Sequence, residues 1–330
     1  MKALLIIILL PLSVFSQQWS LIWADEFNGT TLNTNKWVHE IGTGTWGWGN
    51  NELQYYTDSQ NNIFVDTGYL HIVGRQENIA SSSYTSARIK TQGLFDFTYG
   101  RVEARIKVPL GQGLWPAFWM LGSNIATDGW PLCGEIDIME HVNNELKVYG
   151  TIHHDMWGHV YEGEFVYTDA SIFHEYAIEW DTDEIRWYLD DVEFFSTNIG
   201  AGTVSREEFH NPFFLLLNLA IGGNWPGSPD GTTTFPATMM VDYVRVYQEW
   251  TGIDEIADFE VSVYPNPAND LITITSEYDF ESYSITSLQG EVLLEGKEAV
   301  IDIRGLNQGI YFVNLKYSDG LNKRISFVKS

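Results

Sequence analysis

The sequence predicts an all-β protein: a large β-sandwich or barrel, followed by a small β-sandwich. Three observations carry this. Short runs of alternating apolar and polar residues recur along the chain, as in Arg101-Val-Glu-Ala-Arg-Ile-Lys-Val108, Glu175-Tyr-Ala-Ile-Glu-Trp180 and Met240-Val-Asp-Tyr-Val-Arg-Val-Tyr247. Successive side chains of a strand point to opposite faces, so this period marks strands with one face buried. Clusters of Gly, Asn, Asp and Pro separate the runs, and few segments place apolar residues at i, i+3, i+4 and i+7. All 13 tryptophans lie at or before Trp250, which sets the last 80 residues apart in composition.

In chain order, residues 1–16 read as an export signal. Lys2 is followed by the apolar run Ala3–Leu10, then Pro11, with Val14 and Ser16 at the positions where a signal peptidase takes small side chains. The run falls short of the ~20 apolar residues of a membrane helix, and no other stretch approaches that length. Residues 17–248 form the large domain, and 249–259, acidic and without a period, a linker. Within the large domain, Leu189-Asp-Asp-Val192 predicts a two-residue hairpin turn. Residues 260–330 form the small domain. Cys133 is the single cysteine, so no intramolecular disulfide is possible. The chain carries 44 Asp and Glu against 18 Lys and Arg, a formal charge of −26. That excess argues against nucleic acid as a partner, since phosphates are neutralised by clustered cations. It argues more weakly against a strongly anionic polysaccharide.

The stretch richest in chemistry is Gly134-Glu-Ile-Asp-Ile-Met-Glu-His141. In a regular strand Glu135 and Asp137 share a face, whereas Glu140, at an odd offset, would point into the core at a high desolvation cost. A β-bulge at Ile138–Met139 removes the conflict, because one extra residue flips everything after it. Three acids on one face repel, so their pKa values must separate. One ionised and one protonated carboxyl is what glycoside hydrolysis needs. The Cα atoms of Glu135 and Glu140 then lie roughly 13–16 Å apart, and side chains leaning together approach the ~5–5.5 Å spacing of a retaining enzyme. The aromatic segments Leu114-Trp-Pro-Ala-Phe-Trp-Met-Leu121 and Gly129-Trp-Pro131 precede this strand and suit a carbohydrate cleft.

The Glu-x-Asp-x-x-Glu segment resembles the signature of glycoside hydrolase family sixteen, in the form found in laminarinases (endo-β-1,3-glucanases), agarases and κ-carrageenases. Further segments resemble the laminarinase pattern: Trp23-Ala-Asp-Glu-Phe-Asn28, Asn50-Asn-Glu-Leu-Gln-Tyr-Tyr-Thr57, Gly150-Thr-Ile-His153, Leu217-Asn-Leu-Ala-Ile-Gly-Gly-Asn-Trp-Pro-Gly227 and Asp242-Tyr-Val-Arg-Val-Tyr247. The resemblance implies a β-jelly roll with an open cleft and a retaining mechanism. It implies Glu135 as nucleophile, Glu140 as general acid/base and Asp137 as supporting acid. Trp115 and Trp119 match sugar-stacking positions, Asn51 and Arg88 donor-side contacts, and His153 a histidine near the acid/base. Glu26, the Gly68 carbonyl and Asp242 match the positions of a structural, non-catalytic Ca²⁺ site, and oxygen-only ligands suit that ion.

The small domain pairs a Pro/Asn turn, Tyr264-Pro-Asn-Pro-Ala-Asn269, with alternating strands and a basic end, Lys323–Lys329. It resembles the type A C-terminal sorting domain of the type IX secretion system. That implies export to the periplasm and then across the outer membrane. The expectation is a secreted or cell-surface monomer acting on β-1,3-glucan, and also mixed-linkage glucan, with the secretion machinery as its protein partner. The alternatives are an agarase or other β-galactan hydrolase of the same family, and a non-catalytic glucan-binding protein.

Overall fold

A computed structural model describes residues 19–202, 206–249, 261–276, 278–287, 292–317 and 322–330. The expected signal segment and residues 250–259 of the expected linker lie outside the described residues, as does residue 260. The chain divides into two compact units, with the boundary after Trp250.

The large unit is a β-jelly-roll sandwich of two antiparallel sheets. The first has eight strands. Seven run in the order Val192–Asn198, Glu184–Leu189, His174–Trp180, Gly100–Lys107, Ala237–Glu249, Tyr69–Gly74, Ile63–Asp66, and Trp19–Asp25 also pairs with Ala237–Glu249. The second has seven strands, in the order His159–Tyr167, Lys147–Asp155, Glu135–Glu140, Leu114–Gly122, Phe213–Ile221, Arg88–Lys90, Val38–Glu40. The strand ending at Glu249 pairs that residue with Trp19. The sheet therefore reaches one residue into the stretch expected as linker, because Trp19 supplies a hydrogen-bonding partner there. Among the described residues the single α-helix is the four-residue Ile125–Asp128. The expected hairpin is present: Leu189 pairs with Val192, and Asp190 and Asp191 have φ of 48° and 61°. Both residues of this turn are left-handed, as its twist requires, and Asp tolerates that region better than most residues.

The sheets enclose one continuous core that includes Phe118, Ile136, Ile138, Met139, Trp180, Trp187, Phe213, Leu215 and Leu217. Burying side chains of this size contributes about 1.5–3 kcal/mol each before chain entropy is counted. Phe213–Ile221 is buried at every position. Its inward residues join the main core, while Phe214 and Leu216 pack with Leu121 and Cys133 on the other face. Part of the acidic excess is neutralised on the outer face of the eight-stranded sheet. There Arg101 pairs with Glu103 (3.0 Å), Glu175 (2.9 Å), Glu179 (3.3 Å) and Asp191 (2.8 Å).

The small unit has a three-stranded sheet (Val261–Tyr264, Leu271–Ser276, Val300–Asp302) and a four-stranded one (Val292–Gly296, Ser282–Thr286, Gly309–Lys316, Asn322–Lys329). Ile272, Ile274, Ile285, Val313 and Phe327 share a single apolar cluster, which makes the unit a sandwich.

Candidate active site

The bulge lies where the sequence requires it. Asp137 pairs with Trp119, but the next pair along the strand is Met139 with Phe118, so Ile138 is the extra residue. On the other side Asp137 opposes Thr151 and Glu140 opposes Tyr149, again one residue out of step. Ile136, Ile138 and Met139 face the core, and Glu135, Asp137 and Glu140 line the outer cleft. The Asp137 carbonyl, at the start of the irregularity, accepts a hydrogen bond of 2.8 Å from the Trp187 indole, which crosses the core from the opposite sheet. A buried carbonyl without a partner would be costly, so this contact supports the bulge. Gly150 makes the space for it: a Cβ there would lie 2.4 Å from the Trp187 ring.

A cleft of about 970 Å³ opens on this outer face. Glu135 and Glu140 each receive an indole hydrogen bond. Trp130 Nε1 donates to Glu135 Oε2 at 2.8 Å, and Trp115 Nε1 to Glu140 Oε1 at 2.9 Å. His153 Nε2 lies 3.1 Å from Asp137 Oδ2 and 3.9 Å from Glu135 Oε1. Burial and the Asp137 charge push Glu135 up to about 7, while His153 and Trp130 pull it back. The same two causes, burial and then Asp137, push Glu140 well above the ordinary carboxylate range. Burial lowers His153, but its pairing with Asp137, aided by both glutamates, outweighs this and raises it to about 9. Both glutamates are thus held toward the protonated form, and a cationic His153 stands beside Glu135. Glu135, Asp137 and His153 bring ligand-type atoms within 4.8 Å of one another. With His153 protonated, that trio already holds its own positive charge.

The other expected cleft residues divide. Trp115 and Trp119 line the cleft, as does Arg88. The Arg88 guanidinium lies 4.7 Å from the Trp48 ring centre and 4.8 Å from that of Trp119, and its Nε pairs with Glu40 at 2.5 Å. Trp119 donates to Asn218 Oδ1 at 2.7 Å. Asn51 is not a wall residue. Its amide donates to Asn224 Oδ1 at 2.9 Å, and it is Asn224, with Asn50, that faces the cleft. Sequence reasoning missed Trp48, Glu52, Tyr149, His159, Tyr161, Phe165 and Trp225, all of which line the cleft. The signal for Tyr149, His159, Tyr161 and Phe165 was strand alternation: they fall on the face of His153 once its strand is paired with His159–Tyr167.

Glu26, Gly68 and Asp242 fall beside the middle of the long strand Ala237–Glu249, where the strands Trp19–Asp25 and Tyr69–Gly74 pair with it end to end. Asp25 pairs with Val244, and Leu70 with Val241, so the residues just beyond these pairs converge. Arg245 holds both Glu26 oxygens, at 2.7 and 2.9 Å, and Arg105 holds Asp242 Oδ2 at 2.5 Å. The donors are all oxygen and fit a hard cation, which would compete with two ion pairs.

Comparison with known proteins adds the following. Residues 262–328 match the model of the secretion system C-terminal sorting domain, and residues 44–245 that of the glycosyl hydrolases family 16. The chain is 42% identical over 246 residues to a β-glucanase of Rhodothermus marinus, covering 70% of this chain and 85% of that protein. It is 40% identical over 262 residues to glucan endo-1,3-β-glucosidase A1 of Niallia circulans, covering 70% of this chain and 38% of that one. Among solved structures, the laminarinase catalytic domain of Thermotoga maritima matches with a TM-score of 0.66 and 43% identity, over 71% of this chain and all of that one. The chain spans about two fifths of the length of the longer curated relatives it matches. With the carboxylate strand, its bulge and the tryptophan-lined cleft on one sheet, these matches make the chain a member of the glycosyl hydrolases family 16.

Proposed function

We propose that this protein is a secreted, endo-acting, retaining hydrolase of β-1,3-glucan, with mixed-linkage β-1,3-1,4-glucan as a second substrate. The observation that supports it best is the set of three acids on one cleft face, with Glu135 and Glu140 hydrogen-bonded to separate tryptophans and both raised by burial and by Asp137. Ionised Glu135 attacks the anomeric carbon. As its C–O bond forms, the glycosidic C–O bond breaks, and Glu140 gives its proton to the departing oxygen. Water then enters, Glu140 takes one of its protons, and the water oxygen displaces Glu135. Asp137, paired with His153, stands between the two glutamates along the strand and keeps Glu140 protonated.

A neutral polymer suits the charges of the cleft. Arg88 is paired with Glu40 and His153 with Asp137, so neither cation is left to meet a sulfate. The names of the Rhodothermus, Niallia and Thermotoga proteins favour β-glucan. Digestion of laminarin, lichenan and agarose by the purified protein tests the reading. Short β-1,3 oligosaccharides from laminarin are expected, with weaker cleavage of lichenan. Cleavage of agarose alone would overturn the substrate assignment.

Export through a signal segment at residues 1–16 and then across the outer membrane is the route that the sorting domain supports. We also propose that Glu26, the Gly68 carbonyl and Asp242 hold a structural Ca²⁺. Saturating Ca²⁺ is then expected to raise Tm by several degrees over a chelated sample, since an ion at about 100 times its Kd adds about 2.7 kcal/mol. An unchanged Tm in Glu26→Gln/Asp242→Asn, against a clear rise in wild type, locates the ion.

A further inference from the structure

His159 is claimed by none of the expected site motifs. It sits on the edge strand His159–Tyr167, and its Nε2 lies 2.8 Å from His153 Nδ1, the ring nitrogen turned away from Asp137. The two imidazoles stack with centres 5.1 Å apart and planes 18° from parallel. On its other side His159 packs on Trp130, with ring centres 4.4 Å apart. Trp130 in turn donates to Glu135. His159 therefore touches both side chains that restrain Glu135 and touches none of the three acids.

We infer that His159 is a positioning residue: it accepts the Nδ1 proton of cationic His153, fixes that ring between Asp137 and Glu135, and so holds Glu135 in its ionised form. This rests on the reading of Glu135 as nucleophile. Two nitrogens at 2.8 Å need one proton between them, so when His153 is protonated His159 must present a bare Nε2. Burial and the charges of His153 and His154 lower the pKa of His159, which keeps it neutral as an acceptor. The other titratable groups around the pair are Asp155, opposite His159 in register, Tyr161, and, through His153, Glu135, Asp137 and Glu140. Removing the acceptor makes the His153 cation less stable, so its pKa falls. Less positive charge beside Glu135 then raises the Glu135 pKa.

The test compares His159→Phe with His159→Gln. Phenylalanine keeps a ring against Trp130 but cannot accept the proton, whereas the glutamine amide oxygen can. The expected result on laminarin is that His159→Phe moves the acidic limb of the kcat/KM profile upward by about half to one pH unit. His159→Gln stays close to wild type. An acidic limb unmoved in His159→Phe, whatever the fall in overall rate, would reduce His159 to packing and overturn the inference. An equal shift in both variants would overturn it as well. NMR titration of His153 in the same proteins needs no activity. A lower His153 pKa in His159→Phe is expected, and an unchanged one contradicts the pairing. Wild type inert on laminarin, lichenan and agarose alike with the His153 shift intact would instead sink the nucleophile reading.

Discussion

Replacing Glu135 with alanine is expected to lower kcat on laminarin by at least about 10⁴-fold, because the covalent route loses its attacking oxygen. Binding is expected to persist, since the aromatic walls and Arg88 are untouched. KM or Kd for laminarin oligosaccharides should then change by less than about threefold, in contrast to kcat. The fold is expected to tolerate the change. Glu135 faces the cleft, and its neighbours Ile136 and Ile138 hold the strand in the core. Affinity electrophoresis on laminarin beside a turnover assay separates the two effects. Near-full activity in Glu135→Ala would remove the residue from its role.

Glu140→Ala is expected to give a different pattern. Loss of the general acid should cost about 10²–10⁴-fold on polysaccharide, whose leaving oxygen needs a proton. An aryl glycoside with a good leaving group needs no such help, so its first step should survive and appear as a burst. Azide should then restore turnover, because an anion requires no general base, and the product should be the β-glycosyl azide. The same anion acting on Glu135→Ala, where it replaces the nucleophile, should give the α-anomer. Loss of aryl glycoside cleavage equal to the loss on laminarin would argue that Glu140 acts through structure and not as a proton donor. The structure favours the donor role. Burial and Asp137 keep the Glu140 proton in place, and the indole of Trp115 fixes one of its oxygens.

The carboxylate strand was legible because its pattern contains a contradiction. Three acids and three apolar residues in six positions cannot be sorted onto two faces without an extra residue, so the bulge follows from burial cost alone. Trp187 was not legible in this role. Its indole reaches Asp137 from the opposite sheet, 50 residues on, and strand alternation records facing, not partners across a core. Asn51 shows a related limit. It lies beside the cleft, but its left-handed backbone, with φ of 57°, accompanies an amide directed to Asn224, 173 residues away. The edge-strand residues His159, Tyr161 and Phe165 alternate in the sequence like any surface strand. Their place beside His153 appears only when the two strands are set in register. The hairpin at Asp190 and Asp191 was legible because a two-residue turn depends on local dihedrals and nothing distant.

The most direct test of the central claim is the anomeric configuration of the first product in the laminarin digestion, read by proton NMR within seconds to minutes of mixing, before mutarotation. Two displacements, at Glu135 and then at water, return the anomeric carbon to its starting configuration. The β-anomer is therefore predicted to appear first, with the α-anomer growing in at the rate of spontaneous mutarotation. An α-anomer formed first would mean a single displacement by water, and Glu135 would then be a base and not a nucleophile.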